Sequence, residues 1–345
     1  MKAAVLGATG YAGMTLLRLL AVHPKINAIA AVSSSKQDNA IQDCDTGAGK
    51  ELLKKTSLWD CRYIDLETAS GERFDVVFSA LPHVKSGEML EPFMDKAVVI
   101  DLSADFRLKD AVLYKRIYGK AHPAEDLLED AVYGLSEVHT EEIRVADIIA
   151  NPGCYPTCSL LPLIPFTKRK LITGPVIINA ASGISGAGKK EKTNLLYSER
   201  AESACAYAPG RAHRHLPEIE QELSAGRSGN QVFFTPHLVP MRRGMMATIT
   251  FETEKAIGDE LLFDVYRSAY RESAFVRITG RRVPETGDVL GSNRCDIGWH
   301  IEGKRVFLFS VIDNLVKGAA GQAVQNMNIR FDIDESTGLS SSGSV

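Results

Sequence analysis

An α/β chain of two domains is what the sequence predicts, and three observations predict it. The N-terminus runs from a short apolar strand through a glycine-rich turn into a helix. Apolar strands and helical stretches then alternate until residue 148, the pattern of a parallel sheet covered by helices. Beyond that point the pattern changes to longer strands with fewer helices, which reads as a second domain around a mixed sheet.

Lys2–Leu6 is the first strand, and Met14–Leu20 has helical spacing behind it. Between them Gly7-Ala-Thr-Gly-Tyr-Ala-Gly13 places glycines at Gly7, Gly10 and Gly13, with Thr9, Tyr11 and Ala12 filling the turn. His23-Pro24 stops the helix, and 26–32 supplies the second strand of a βαβ unit. In that setting the glycines permit a tight turn and let a pyrophosphate approach the backbone at a helix N-terminus, the fingerprint of a Rossmann dinucleotide-binding domain. A plain flexible loop is the alternative. An acid commonly holds a free ribose 2′-hydroxyl at the end of the second strand. Here that place is taken by Ser33, Ser34, Ser35 and Lys36, with no acid before Asp38. Hydroxyls and an ammonium solvate a 2′-phosphate that a carboxylate would repel, so the expected cofactor is NADP.

Two further buried strands follow, around 74–82 and 97–102, with a helix at 86–94 between them. The loop after the second, Ser103-Ala-Asp-Phe-Arg107, lies at a carboxyl edge, where open α/β sheets collect ligands. Arg107 reads either as an anion-binding side chain or as a solvated surface arginine. After Ala131-Val-Tyr-Gly-Leu135 a strand at 147–150 leads into the next motif, and the boundary is placed at its start, setting this domain at residues 1–148.

The second domain, 149–317, opens on Asn151-Pro-Gly-Cys-Tyr-Pro-Thr157. Asn-Pro-Gly is turn chemistry, and Pro156 suits a first helical turn, so Cys154 sits at the mouth of an apolar helix. The positive helix end favours a thiolate there. A buried structural cysteine is the competing reading. Strands follow at 175–181, 232–235, 245–251, 295–301 and 306–312, with a helix at 261–270. Ser182-Gly-Ile-Ser-Gly-Ala-Gly188 is a second glycine-rich loop, followed by the basic 189–192 whose role does not emerge from the sequence. Ala212-His-Arg-His-Leu-Pro-Glu218 brings His213 and His215 to a helix start. Imidazoles exchange protons near neutral pH. A metal site would need a third ligand at recognisable spacing, and none is present, so no metal is expected; ordinary surface histidines remain open. The segment 318–329 reads as a helix returning to the first domain, with a Ser/Gly-rich tail that is either disordered or tied down.

Composition bounds the rest. With 345 residues and a net charge of −3, the chain carries no basic footprint for nucleic acid or anionic lipid. No apolar run reaches the roughly 18–20 residues of a membrane helix. A strand begins directly after Met1, so no signal peptide is read. Six cysteines without a C-x-x-C pair argue against a zinc ribbon or disulfide framework. The expected compartment is reducing, most simply the cytoplasm.

These motifs together resemble the N-acetyl-gamma-glutamyl-phosphate reductases, NADPH-dependent enzymes of arginine biosynthesis. The resemblance runs nearly end to end, through 7–13, 102–107, Tyr133-Gly-Leu-Ser-Glu137, 151–157, 182–188, His213-Arg-His215, Thr235-Pro-His-Leu-Val-Pro240 and Asp313-Asn-Leu-Val-Lys-Gly-Ala319. Cys158 departs from it, standing where a small residue is usual. The resemblance implies a Rossmann domain joined to an α+β domain of the semialdehyde dehydrogenase type, assembled as a homodimer or homotetramer. It implies a covalent route with Cys154 as nucleophile and His215 as acid/base. Arg107, Asn151, Tyr155, His213 and Glu218 are the substrate contacts so expected. Ser182 and Gly183 would line the cofactor cleft, and Asn314 would hold the nicotinamide carboxamide. Three rivals stand beside this reading: an aspartate-semialdehyde dehydrogenase, a nucleotide-free cysteine hydrolase, and a catalytically silent NADP sensor.

Overall fold

The computed structural model describes residues 1–225 and 231–343. It divides into two units, Met1–Pro152 with Ala319–Leu339, and Gly153–Gly318 with Ser340–Val345. The first break therefore falls just before Cys154, four residues later than the strand-based boundary at 148. The returning segment groups with the first unit from Ala319 to Leu339, beyond the helix read at 318–329.

Six parallel strands make the sheet of the first unit: β1 (Lys2–Leu6), β2 (Ala28–Val32), β3 (Val76–Ser79), β4 (Val98–Asp101), β5 (Val132–Tyr133) and β6 (Ile148–Ala150), in the order β2-β1-β3-β4-β6-β5. Every residue of β2, β3 and β4 is buried, as continuous apolar runs require when both faces are covered. The pleat sends Ala3, Val5, Phe78 and Ile100 to one core, shared with Leu16 and Leu20 of the helix Tyr11–Val22. Ala4, Leu6, Val77 and Val99 face the other core, against Leu90, Phe93 and Phe106. Order reverses at β1, so the turn after β1 opens at the switch point beside β3.

A helix at Gly321–Arg330 joins the first core through Ala323, Val324 and Met327. It is buried although Gln322, Gln325, Asn326 and Asn328 are polar. Hydrogen bonds make that tolerable: Asn326 Nδ2 donates to Gly134 O (2.8 Å), and Asn328 Nδ2 donates to Thr337 O (2.9 Å). The tail is thus tied down, the second of the two expectations for it. Ser340 O then accepts the Asn293 N–H at 2.8 Å.

The second unit holds a seven-stranded mixed sheet: β7 (Thr173–Gly183), β8 (Cys205–Ala206), β9 (Val232–Val239), β10 (Met245–Glu252), β11 (Val276–Gly280), β12 (Cys295–Glu302) and β13 (Arg305–Ile312). Its order is β11-β12-β13-β10-β7-β9-β8. One face packs on the helices Cys154–Lys168 and Asp259–Tyr270, where Phe166 meets Phe251 and Tyr266 with ring centroids 5.1 and 5.5 Å apart. The opposite face leaves Ile177, Phe233 and Met246 exposed.

Candidate active site

The helix Cys154–Lys168 carries prolines at 162 and 165, each of which removes a main-chain donor. The Tyr270 hydroxyl donates to Leu161 O (2.6 Å), the carbonyl that Pro165, lacking an N–H, leaves without its helical donor. With residues 155–167 all buried, the helix is a fixed support for the residue at its first position, the half-buried Cys154.

The turn before it is held from a second helix, His215–Ala225. Glu218 Oε1 accepts the Gly153 N–H at 2.9 Å, so a carboxylate from 65 residues away caps the start of the cysteine helix. Because residue 156 is proline, the other first-turn donors are the N–H groups of Cys154 and Tyr155.

His213 and His215 lie with ring centroids 4.9 Å apart, and His215 lies 6.0 Å from Tyr155, the neighbour of Cys154. His213 Nδ1 accepts the His215 main-chain N–H at 3.1 Å, so the neutral imidazole carries its proton on Nε2. Its ring is enclosed by Tyr155, Tyr207 and Phe234 at 5.5, 5.5 and 5.2 Å. Burial, aided by the Arg214 charge, pulls its pKa down to about 4. His213 is therefore a neutral group across the physiological range.

Several residues read as substrate contacts have other work. Tyr155 is 2% exposed; its hydroxyl donates to His237 O (3.1 Å) and accepts from Tyr207 (3.1 Å), and burial pushes its pKa far up. Glu218 is as buried and serves the turn. Asn151 is fully buried, donating to Ala319 O and accepting from Asn326 Nδ2, both at 3.2 Å. Arg107 is not a solvated arginine: it is buried, and donates to Asn151 O and Leu102 O, both at 2.9 Å. It braces the strand end from which the chain passes to Cys154.

The N-terminal turn fits a pyrophosphate. Gly7 has φ +75°, and a Cβ there would lie 2.7 Å from Ala80 O at the end of β3. A Cβ at Gly13 would lie 2.8 Å from Ala8 Cα, so both glycines answer to packing of the turn itself. Gly10 differs: a Cβ would meet only Gly7 O, at 3.6 Å. It is the N-cap of Tyr11–Val22, with no side chain capping the helix and no acid in its first turn, which leaves that positive end to an anion. At the end of β2, Ser33 is buried while Ser34, Ser35 and Lys36 are exposed.

In the second unit, a Cβ on Gly183 would lie 2.8 Å from Met241 O and 2.9 Å from Arg243 N, so this glycine lets two loops touch. Asn314 Oδ1 accepts the Gly244 N–H (2.8 Å), and its Nδ2 donates to Ser185 Oγ (3.0 Å), leaving one amide hydrogen for a ligand. Ser182 Oγ donates to the carbonyl of Gly183 (3.1 Å).

The sequence reading missed Asp105, Tyr207 and Tyr270. Asp105 is fully buried and collects the Val84, Ser86 and Gly87 N–H groups and the Tyr114 hydroxyl, ordering the loop after β3. An acid in a strand-end loop two residues from Arg107 was the available signal. Nothing local marks the two tyrosines. Among the described residues there is no His/Cys/Asp/Glu cluster able to hold a metal and no helix long and apolar enough to cross a membrane.

Residues 2–146 match the family model described as semialdehyde dehydrogenase, NAD binding domain, and residues 154–314 match semialdehyde dehydrogenase, dimerisation domain. The N-acetyl-gamma-glutamyl-phosphate reductases of Alkaliphilus metalliredigens and Caldicellulosiruptor saccharolyticus are 44% and 43% identical to this chain, each alignment covering 98% of both proteins. Among solved structures, aspartate semialdehyde dehydrogenase II of Vibrio cholerae, complexed with ASA, matches with a TM-score of 0.71 at 19% identity over 96% of this chain and 98% of its own. The Candida albicans aspartate semialdehyde dehydrogenase with NADP gives 0.70 at 17%, over 95% and 97%. At such identities these structures speak for the fold alone, whereas the near-full-length relatives decide the family. The chain belongs to the N-acetyl-gamma-glutamyl-phosphate reductases, built from the two semialdehyde dehydrogenase domains.

Proposed function

We propose that the protein reduces N-acetyl-L-glutamyl 5-phosphate to N-acetyl-L-glutamate 5-semialdehyde, releasing phosphate, through a thioester on Cys154. The observation that carries this reading is the placement of Cys154 at the first position of a rigid helix whose turn is capped from the helix bearing His215. The Cys154 thiolate attacks the acyl carbon, the carbon–oxygen bond to phosphate breaks, and the thioester remains. His215 takes the thiol proton and later protonates the oxyanion left when hydride adds to the thioester carbon; as that thiohemiacetal collapses, the oxygen gives its proton back, the carbon–sulfur bond breaks and the Cys154 thiolate is released. The Cys154 and Tyr155 N–H groups supply donors for the developing oxyanion. His213, neutral and caged, orients His215 through its main-chain N–H.

NADPH, when bound, supplies the hydride that takes the thioester to the aldehyde level. Residues Gly7, Thr9, Gly10, Tyr11, Ala12 and Gly13 would cradle its pyrophosphate, and Ser33, Ser34, Ser35 and Lys36 its 2′-phosphate. Ser182, Gly183 and the spare amide hydrogen of Asn314 would meet the nicotinamide end. Arg107 and Asn151 keep the preceding strand end in shape, and with Tyr155 and Glu218 they would line the substrate's side of the site. Six free thiols support a reducing compartment, and we place the protein in the cytoplasm. The exposed Ile177–Phe233 pair on β7 and β9, in a domain whose family model is named for dimerisation, supports a second copy of the chain covering that face.

The test is NADPH oxidation with N-acetyl-glutamyl phosphate and aspartyl phosphate supplied separately. Turnover of the first and not the second supports the reading. Preference for aspartyl phosphate would favour the aspartate-semialdehyde alternative, and nucleotide-independent hydrolysis alone would favour a hydrolase.

A further inference from the structure

Resting on the reading that Cys154 is the nucleophile, we propose that Gly318 is a positioning residue for the reaction. The absence of a side chain at 318 is the space in which the Cys154 Cβ is seated, and the Asp313–Gly318 segment is the brace that sets where the thiol points.

A Cβ added at Gly318 would lie 2.8 Å from Cys154 Cβ, 3.3 Å from Cys154 Cα and 3.2 Å from Ile312 Cδ1. The Ile312 methyl is the far end of a flexible side chain and can turn aside. Cys154 Cβ cannot, because it hangs directly from the first residue of a helix that is buried over its next thirteen residues. Gly318 has no other reason to be glycine: its φ lies outside the left-handed region where glycine is favoured. The requirement comes from the cysteine.

The brace is as fixed as the helix. Asp313 is fully buried, and its Oδ1 accepts the Leu315 N–H at 2.9 Å. Arg243 pairs with its carboxylate at 2.8 Å, and Gly291 N–H donates to it at 2.8 Å. The Asp313 carbonyl takes the Val316 and Gly318 N–H groups at 3.2 and 3.0 Å. Asn314 ties the same segment to Gly244 and Ser185. From Val316 to Ala320 the chain is a π-helix, the wide turn often found where a helix is shaped for a task. Two rigid parts therefore meet at one close approach, and the cysteine is on it. A side chain at 318 must be absorbed as a displacement of Cys154, and misplacing a reacting atom by about 1 Å can cost roughly 100-fold in rate.

The experiment compares Gly318→Ala with Gly287→Ala, a glycine of the same unit whose added Cβ would meet nothing within 4 Å. Gly318→Ala is expected to lower kcat by roughly 10- to 100-fold while KM for the acyl phosphate and NADPH affinity, read by fluorescence, stay within about twofold. The rate of Cys154 alkylation by iodoacetamide should change with it, and Gly287→Ala should leave both unchanged. Adding Ile312→Val should not restore kcat. In a Cys154→Gly background, where the Cβ is gone, Gly318→Ala should cost less thermal stability than in the parent; if the single variant does not fold, recovery of folding in this background supports the proposal equally. Parent kcat and alkylation rate in Gly318→Ala, restoration by Ile312→Val, or an undiminished stability loss without the cysteine Cβ would each overturn the proposal. Should Cys154→Ala itself keep turning over, the nucleophile reading fails; if it is inactive and Gly318→Ala is normal, only the positioning role does.

Discussion

Replacing His213 by Asn should remove a defined part of the protein's sensitivity to acid. The His213 ring is enclosed by three aromatic rings, and burial lowers its pKa from 6.5 to about 4. An unfolded chain has no such cage, so below pH 6.5 it binds a proton that the folded state refuses. Stability from this residue is thus complete above pH 6.5 and is lost as the pH falls towards 4. At about 1.4 kcal/mol per pH unit the whole effect is about 3 kcal/mol, of which about 2 kcal/mol disappears between pH 7 and pH 5. His23 and His122 are also depressed by burial and act with the same sign, but they are common to both proteins and cancel in the comparison. Asn at 213 keeps an oxygen able to accept the His215 N–H, as a short side-chain turn does, so the local geometry survives. Urea unfolding of the parent and His213→Asn at pH 5 and pH 7 reads the difference directly. The parent should lose about 2 kcal/mol more than the variant. Equal losses would show that His213 protonates as easily in the folded state as in the unfolded one, and that its aromatic cage does not exclude the charge.

Three other outcomes are expected. Ser34→Asp should narrow or invert the preference for NADPH over NADH, since a carboxylate would face the 2′-phosphate; equal kcat/KM with both cofactors in the parent would remove the basis of that claim. Tyr270→Phe strips the hydroxyl from Leu161 O, which Pro165 cannot serve, and should cost about 1–3 kcal/mol in denaturant unfolding; no change would mean that another donor fills the place. Phe233→Glu puts a charge on the exposed sheet face and should shift the protein towards monomer in light-scattering measurements, whereas an unchanged mass would move the self-association surface elsewhere.

Local pattern made much of this molecule legible in the sequence. The strands of the parallel sheet are unbroken apolar runs because helices cover both faces, and the glycine turn stands between a strand and a helix where the motif demands it. Cys154 could be placed at a helix start from Asn-Pro-Gly and the prolines after it. What escaped depends on partners distant in the chain. The edge strand β11, Val276–Gly280, has only its last residue buried and carries little apolar signal. The helix Gly321–Arg330 is legible as a helix, but its polar composition hides its burial, which partners such as Gly134 and Ser136, nearly 200 positions away, make tolerable. Glu218 has the chemistry of a substrate ligand, but its bond from Gly153, 65 residues away, leaves no local mark. Arg107, Asn151 and Tyr155 likewise have the chemistry of ligand contacts, but their partners among main-chain carbonyls and buried side chains could not be read locally. Gly7, Gly13 and Gly183 read as room for a ligand; they are first of all room for the protein itself, as is Gly318, which no local pattern singles out.

The central claim is a covalent acyl-enzyme on Cys154, and the most direct measurement is to trap it. Incubated with N-acetyl-glutamyl phosphate and no NADPH, then quenched in acid and digested, the protein should carry an N-acetyl-glutamyl mass on the peptide containing Cys154, with phosphate released in matching amount. The adduct should vanish on adding NADPH and be missing from Cys154→Ala. An adduct on another residue, or substantial phosphate-dependent turnover in Cys154→Ala, would contradict the covalent route.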